Sequence, residues 1–171
     1  PVHINIPIGE PLFDFSQVKL PDVRKINYAE PKKIIDIREF VKTWNNSQRR
    51  LIIVGQFLPN ESIPQILHEL ARNTDCVVLN EHISNCASDL FVSNFDAILY
   101  ALQNEDKSKY IPDLVIHFGG HITSKRLKSF IRLNKPRQLW HISESTEVVD
   151  LYQSLTNMID VAPYDFFTHL N

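Results

Sequence analysis

Beyond residue 31 the apolar positions switch repeatedly between a helical and a strand period. Ile34, Ile37, Phe40, Val41 and Trp44 recur at three and four residues, which predicts an amphipathic helix. Arg49-Arg50 then leads into Leu51-Ile52-Ile53-Val54, closed by Gly55. A short all-apolar run predicts a strand covered on both faces, as in a parallel sheet. Ser62 at a cap position, Pro64 and Gln65 form a helix-start signature, and Ile63, Ile66, Leu67 and Leu70 are the apolar face behind it. Cys76-Val77-Val78-Leu79 predicts a second strand. Phe95, Ile98, Leu99 and Leu102 mark another helix, with Asn94 at its cap. Leu114–Phe118 predicts a third strand ending at Gly119-Gly120. Leu127, Phe130 and Ile131 mark the next helix, and Gln138–Ile142 a fourth strand. Val148-Val149 and Met158–Val161 are weaker strand candidates. Pro163 opens a last helix through Phe166, Phe167 and Leu170.

Strands that alternate with helices in units of about 30 residues imply βαβ crossovers. The expected class is α/β: a Rossmann-like open parallel sheet flanked by helices on both faces, in a single domain. Ligands in such folds gather at the carboxyl ends of the strands. The candidate rims are Gly55-Gln56-Phe57, Asn80-Glu81-His82, Gly119-Gly120-His121 and Ser143-Glu144.

The first residues behave differently. Pro1, Pro7, Pro11, Pro21 and Pro31 are five of the ten prolines, so this stretch predicts an extended connector, pinned to a surface by Phe13 and Phe15. Pro1–Pro7 alternates like a strand with no lead-in, which suggests a piece of a longer protein. Residues 1–30 are accordingly expected to be an extended linker and residues 31–171 the compact domain, and the family resemblance given below implies that they are the tail of a preceding domain with its linker and a central domain.

Composition narrows the function classes. The chain has 171 residues, 43% hydrophobic and 22% charged, with a formal net charge of −2. That length supports one buried core. The near-neutral balance argues against nucleic acid as a partner, and no apolar run is long enough for a membrane span. Four Gly exclude a collagen-like repeat. Two Cys do not make a disulfide framework, which points to a reducing, cytoplasmic location.

The most informative chemistry lies in Gly119-Gly120-His121-Ile122-Thr123-Ser124-Lys125-Arg126. A strand ends, two Gly permit a tight turn, hydroxyls can cap the helix, and two cations sit in its first turn. Cations at a helix N-terminus oppose the macrodipole by roughly 0.3–1 kcal/mol each. A bound carboxylate or phosphate reverses that sign. Gly119, Gly120, Thr123 and Ser124 are therefore a candidate anion-binding turn, with Lys125 and Arg126 as candidate anion ligands. The residues alone leave a second reading open, in which both side chains simply reach water. Lys125, Lys128, Arg132 and Lys135 form a basic stripe, read as a solvated face.

Other features carry less. Gly55-Gln56-Phe57-Leu58-Pro59 does not form the dinucleotide fingerprint, and the Walker pattern is absent. His117 and His121 straddle a strand end without a Cys pair, so hydrogen-bonded histidines are expected rather than a zinc site. Cys76 is expected in the core and Cys86 as a free thiol. Glu81 and Glu144 receive no role. No metal-binding and no catalytic residue is assigned.

Two motifs carry a family resemblance. Pro1-Val2-His3-Ile4-Asn5-Ile6-Pro7 with Glu10-Pro11-Leu12 resembles the segment that closes the first domain of thiamine-diphosphate enzymes. Asp113–Leu127, with its Gly-Gly-x-x-Thr-Ser-Lys-Arg core, is similar to the MenD family, the 2-succinyl-5-enolpyruvyl-6-hydroxy-3-cyclohexene-1-carboxylate synthases of menaquinone biosynthesis. The resemblance runs from Pro1 to about Phe167 and implies the middle of three domains. It implies a transferase that decarboxylates 2-oxoglutarate and adds the succinyl unit to isochorismate. Thiamine diphosphate and Mg²⁺ would be held by the flanking domains and none by this segment, which alone would be inactive. Lys125 and Arg126 would contact substrate carboxylate, in a homo-oligomer. The alternative is a regulatory or nucleotide- or anion-binding Rossmann-like module.

Overall fold

A computed structural model describes residues 36–145 and 147–170. The expected linker over residues 1–30, with Phe13 and Phe15, lies outside them, as does Ile34.

The elements run α1 (Arg38–Asn46), β1 (Arg50–Val54), α2 (Ser62–Asn73), β2 (Cys76–Asn80), α3 (Phe95–Ala101), α4 (Asn104–Lys107), β3 (Leu114–Phe118), α5 (Lys125–Leu133), β4 (Gln138–Ile142), β5 (Asn157–Ile159) and α6 (Pro163–Thr168). The five strands form one sheet in the order β2-β1-β3-β4-β5, and every neighbouring pair is parallel. The expected open parallel sheet is therefore present.

Alternation along the strands sorts the core into two layers. Ile52, Val54, Val78, Ile116, Trp140 and Ile142 face one side, where Trp44 of α1, Leu67 and Leu70 of α2, and Phe166 and Phe167 of α6 pack on them. Ile53, Leu79, Val115 and Leu139 face the other, against Phe95 of α3 and Leu127, Phe130 and Ile131 of α5. Both faces are covered, which is why the strands read as continuous apolar runs rather than alternating ones.

Several local expectations change. Ser62 lies inside α2, and the orphan amides of Ser62 and Ile63 are satisfied by Asn60 Oδ1 at 2.9 and 3.0 Å. Asn94 sits at the cap of α3 but makes no side-chain cap bond. Val148-Val149 is not a strand, and the described residues of the link from β4 to β5 contain no helix; Tyr152 and Leu155 cover the sheet there instead. Helix α5 stops at Leu133, so Lys135 lies past it and the basic stripe is shorter than its spacing implies. Two of its members are also engaged: Lys128 Nζ donates to the Ile122 carbonyl at 3.0 Å, and Arg132 donates to the Leu151 carbonyl at 2.8 Å.

Candidate functional site

The loops after β1 and β3 continue the parallel pairing beyond the strands. Gly55 N–H donates to the Phe118 carbonyl, Gln56 N–H to His121, and Gly120 N–H to Gln56 at 2.7 Å. This close approach sets the glycine requirements. A Cβ on Gly55 would lie 2.4 Å from the Gly120 carbonyl oxygen. Gly119 has φ +79°, and its Cβ would lie 2.8 Å from the Gln56 carbonyl oxygen. Both positions exclude a side chain. Gly120 has room, with its nearest neighbour at 3.5 Å.

The zipped loops deliver the start of α5 to the carboxyl edge of the sheet. Ser124 is its N-cap, and Ser124 Oγ accepts from the Leu127 amide at 3.0 Å. The Thr123 and Ser124 amides point at Glu81, from the end of β2. They donate to its Oε2 and Oε1, each at 2.7 Å. The turn at Gly119, Gly120, Thr123 and Ser124 thus meets an anion as the helix dipole requires, but the anion is the chain's own buried carboxylate. The Thr123 and Ser124 amides are thus already taken by Glu81.

The next two residues, Lys125 and Arg126, line an open cleft of about 670 Å³ with Glu81, His82, Ser93 and Asp96. The cleft spans the carboxyl ends of β2 and β3, on either side of β1, where the strand order reverses. Arg126 Nη1 pairs with Asp96 Oδ2. Asp96 Oδ1 accepts from Ser124 Oγ at 2.6 Å. The Ser124 hydroxyl first, and the Arg126 guanidinium with it, hold the Asp96 carboxyl below the usual carboxylate range. Tyr100, one turn along α3, places its ring 5.1 Å from the Arg126 guanidinium carbon. Lys125 is exposed and makes no ion pair among the described residues.

A second cavity, of about 350 Å³, opens at the ends of β3 and β4 between Gly119, Gly120, Ser143 and Glu147. Its floor is His117 and His141, register partners on β3 and β4, with Nδ1 atoms 3.0 Å apart. One ring must donate and the other accept, so the two cannot both be doubly protonated. Burial pulls His117 down to about 3, helped by its neighbour His141; burial lowers His141 too. His117 therefore pairs with His141 and not with His121. His117 Nε2 and the Tyr152 hydroxyl are buried without a hydrogen-bond partner among the described residues. Burial, together with the Glu81 charge, raises the Tyr152 phenol far above its ordinary range.

Sequence reasoning singled out Lys125 and Arg126 and the turn before them. It missed the role of Glu81 and passed over Asp96 altogether. Asp96 looks like a dipole-compensating acid in the first turn of α3, and nothing in the sequence couples it to a residue 30 positions later. Cys76 and Cys86 are both buried and free, and burial pushes the Cys86 thiol up to about 11. That makes it a core residue rather than an accessible thiol.

Mg²⁺ beside a diphosphate takes one or two carboxylates along with phosphate oxygens, and the two carboxylates on the cleft are already engaged within the chain. Among the described residues no three His, Cys, Asp or Glu side chains converge as a metal site. Glu81 is committed to backbone amides, and Asp96 to Ser124 and Arg126. No described helix is long and apolar enough to cross a membrane.

Comparison with known proteins identifies relatives of the chain. The chain is 42% identical to the 2-succinyl-5-enolpyruvyl-6-hydroxy-3-cyclohexene-1-carboxylate synthase of Bacteroides thetaiotaomicron, over 97% of the chain and 30% of that protein. Synthases of the same name from Flavobacterium psychrophilum and Desulfotalea psychrophila are 37% and 31% identical, over 98% and 99% of the chain and 30% and 32% of their own lengths. The chain thus spans about 30% of the length of these relatives, and the resemblance to the MenD family holds. Residues 17–169 match the family described as the middle domain of thiamine pyrophosphate, and this chain belongs to that middle-domain family.

Proposed function

We propose that this domain forms one wall of the substrate pocket in a MenD-type synthase. Residues 1–30 would link it to a preceding cofactor domain, and residues 31–171 would form the middle domain. The whole enzyme would decarboxylate 2-oxoglutarate and transfer the succinyl unit to isochorismate. Thiamine diphosphate and Mg²⁺ would sit in the flanking domains, in a cytoplasmic homo-oligomer, and this segment alone would have no turnover.

The observation that carries the proposal is the pair of adjacent cations, Lys125 and Arg126, on a cleft at the carboxyl edge of the sheet. Both proposed substrates are multiply anionic. Arg126 offers a planar fork to a carboxylate, and Lys125 a mobile point charge. The first turn of α5 also needs an anion to offset two cations. Glu81 supplies one at the backbone, and a substrate carboxylate would supply the next at the side chains. The match to an enzyme middle-domain family does not favour the regulatory or nucleotide-binding alternative.

The test is turnover of 2-oxoglutarate plus isochorismate by a full-length protein carrying this chain, supplied with thiamine diphosphate and Mg²⁺. Product formation that needs both substrates supports the proposal. Absence of any product under saturating cofactor removes it.

A further inference from the structure

We propose that Asp96 is a positioning residue that, with Tyr100, aims the Arg126 guanidinium at the substrate. This rests on the substrate-pocket function proposed above.

One carboxylate is tied at both oxygens to the same turn of α5. Oδ1 accepts from the N-cap hydroxyl of Ser124 and Oδ2 from Arg126. Asp96 is itself fixed by the cap of the helix that carries Arg126. Tyr100 lies four residues after Asp96, so both side chains leave the same face of α3, and its ring lies 5.1 Å from the guanidinium carbon. Arg126 is thus held at an edge and at a face.

Only Nη1 of Arg126 has a hydrogen-bond partner among the described residues. A guanidinium has five N–H donors, so two parallel donors remain for a carboxylate. Neighbouring Lys125 has no such restraint. The pair therefore divides into an oriented fork and a mobile charge.

Charge and position predict opposite effects. A carboxylate beside an anion site repels the anion, so if only local charge mattered, Asp96→Asn would tighten substrate binding. If Asp96 acts by orienting Arg126, Asp96→Asn loosens it.

The experiment is a double-mutant cycle in the full-length enzyme, with Asp96→Asn, Arg126→Ala and the pair. KM and kcat are measured for each substrate in turn. The expected result is an increase in KM for one carboxylate substrate on the order of tenfold in Asp96→Asn, with kcat changed much less. In the Arg126→Ala background the same change should shrink to less than about twofold. A lowered KM in Asp96→Asn, or an undiminished effect without Arg126, overturns the proposal while leaving the substrate-pocket function standing. A wild type without turnover overturns both. Should Asp96→Asn fail to fold, Tyr100→Leu, at an exposed residue, enters the same cycle with the same expected direction and the same contrary outcomes.

Discussion

Glu81, at the end of β2, accepts a hydrogen bond from the Ser124 amide at 2.7 Å, 43 residues further along the chain. With the parallel bond from Thr123 it closes the start of α5 against the sheet edge. Glu81 is 8% exposed, so removing its carboxylate leaves two sheltered amides without an acceptor. Such a loss costs about 1–3 kcal/mol per group. Glu81→Ala should lower the urea midpoint of the chain by more than any change at Lys125, and Glu81→Gln, which keeps one acceptor, should fall between. A midpoint unchanged in Glu81→Ala would show that water replaces the carboxylate.

The glycines after β3 give a paired prediction. Gly119 has φ +79° and no space for a Cβ, whereas Gly120 has ordinary clearance. Gly119→Ala should destabilise by at least about 1–2 kcal/mol, from left-handed strain and the clash with Gln56. Gly120→Ala should be close to neutral. Thermal unfolding of the two variants compares them directly, and equal effects would contradict the zipped-loop geometry.

Much of this arrangement is legible in the sequence. β4 matches its expected bounds, and α5 is marked by Leu127, Phe130 and Ile131. Those signals are local: an apolar run, a period of 3.6, a Ser at a cap. The Gly119–Arg126 segment is readable for the same reason, because its glycines, cap and cations are contiguous. Partners across the sheet are not readable. Glu81 and Asp96 reach α5 only because β2 and α3 flank it in space, and the sequence holds no register between them. The pairing of His117 with His141 is likewise a property of the β3–β4 register, invisible beside the closer spacing to His121.

That histidine pair sets an acid limit on the fold. His117 is 2% exposed and its folded-state value is lowered to about 3, below the ordinary value of about 6.5. Between these values the unfolded chain binds a proton that the folded chain refuses. Stability is therefore full above pH 6.5 and declines as pH falls toward 3, with a slope of up to about 1.4 kcal/mol per pH unit. His117→Asn should flatten the pH dependence of the urea midpoint between pH 4 and 6.5. An unchanged slope in that variant would place the titrating group elsewhere.

The Asp96–Arg126 pair should behave in the opposite way, with little effect on stability. Its side chains are 44% and 53% exposed, and exposed pairs contribute about 0.2–1 kcal/mol. Arg126→Ala should shift the unfolding midpoint only slightly. A large shift would make Arg126 a structural residue and remove the reason to place it on substrate.

The most direct measurement is kcat/KM for the proposed substrates, 2-oxoglutarate and isochorismate, of a full-length protein carrying this chain, in wild type and Arg126→Ala. A charge-assisted hydrogen bond to a substrate carboxylate is worth roughly 1.5–3 kcal/mol, so kcat/KM should fall by about 10- to 200-fold with the fold intact. An active wild type whose Arg126→Ala variant keeps its full kcat/KM would contradict the claim that this cleft faces the substrate.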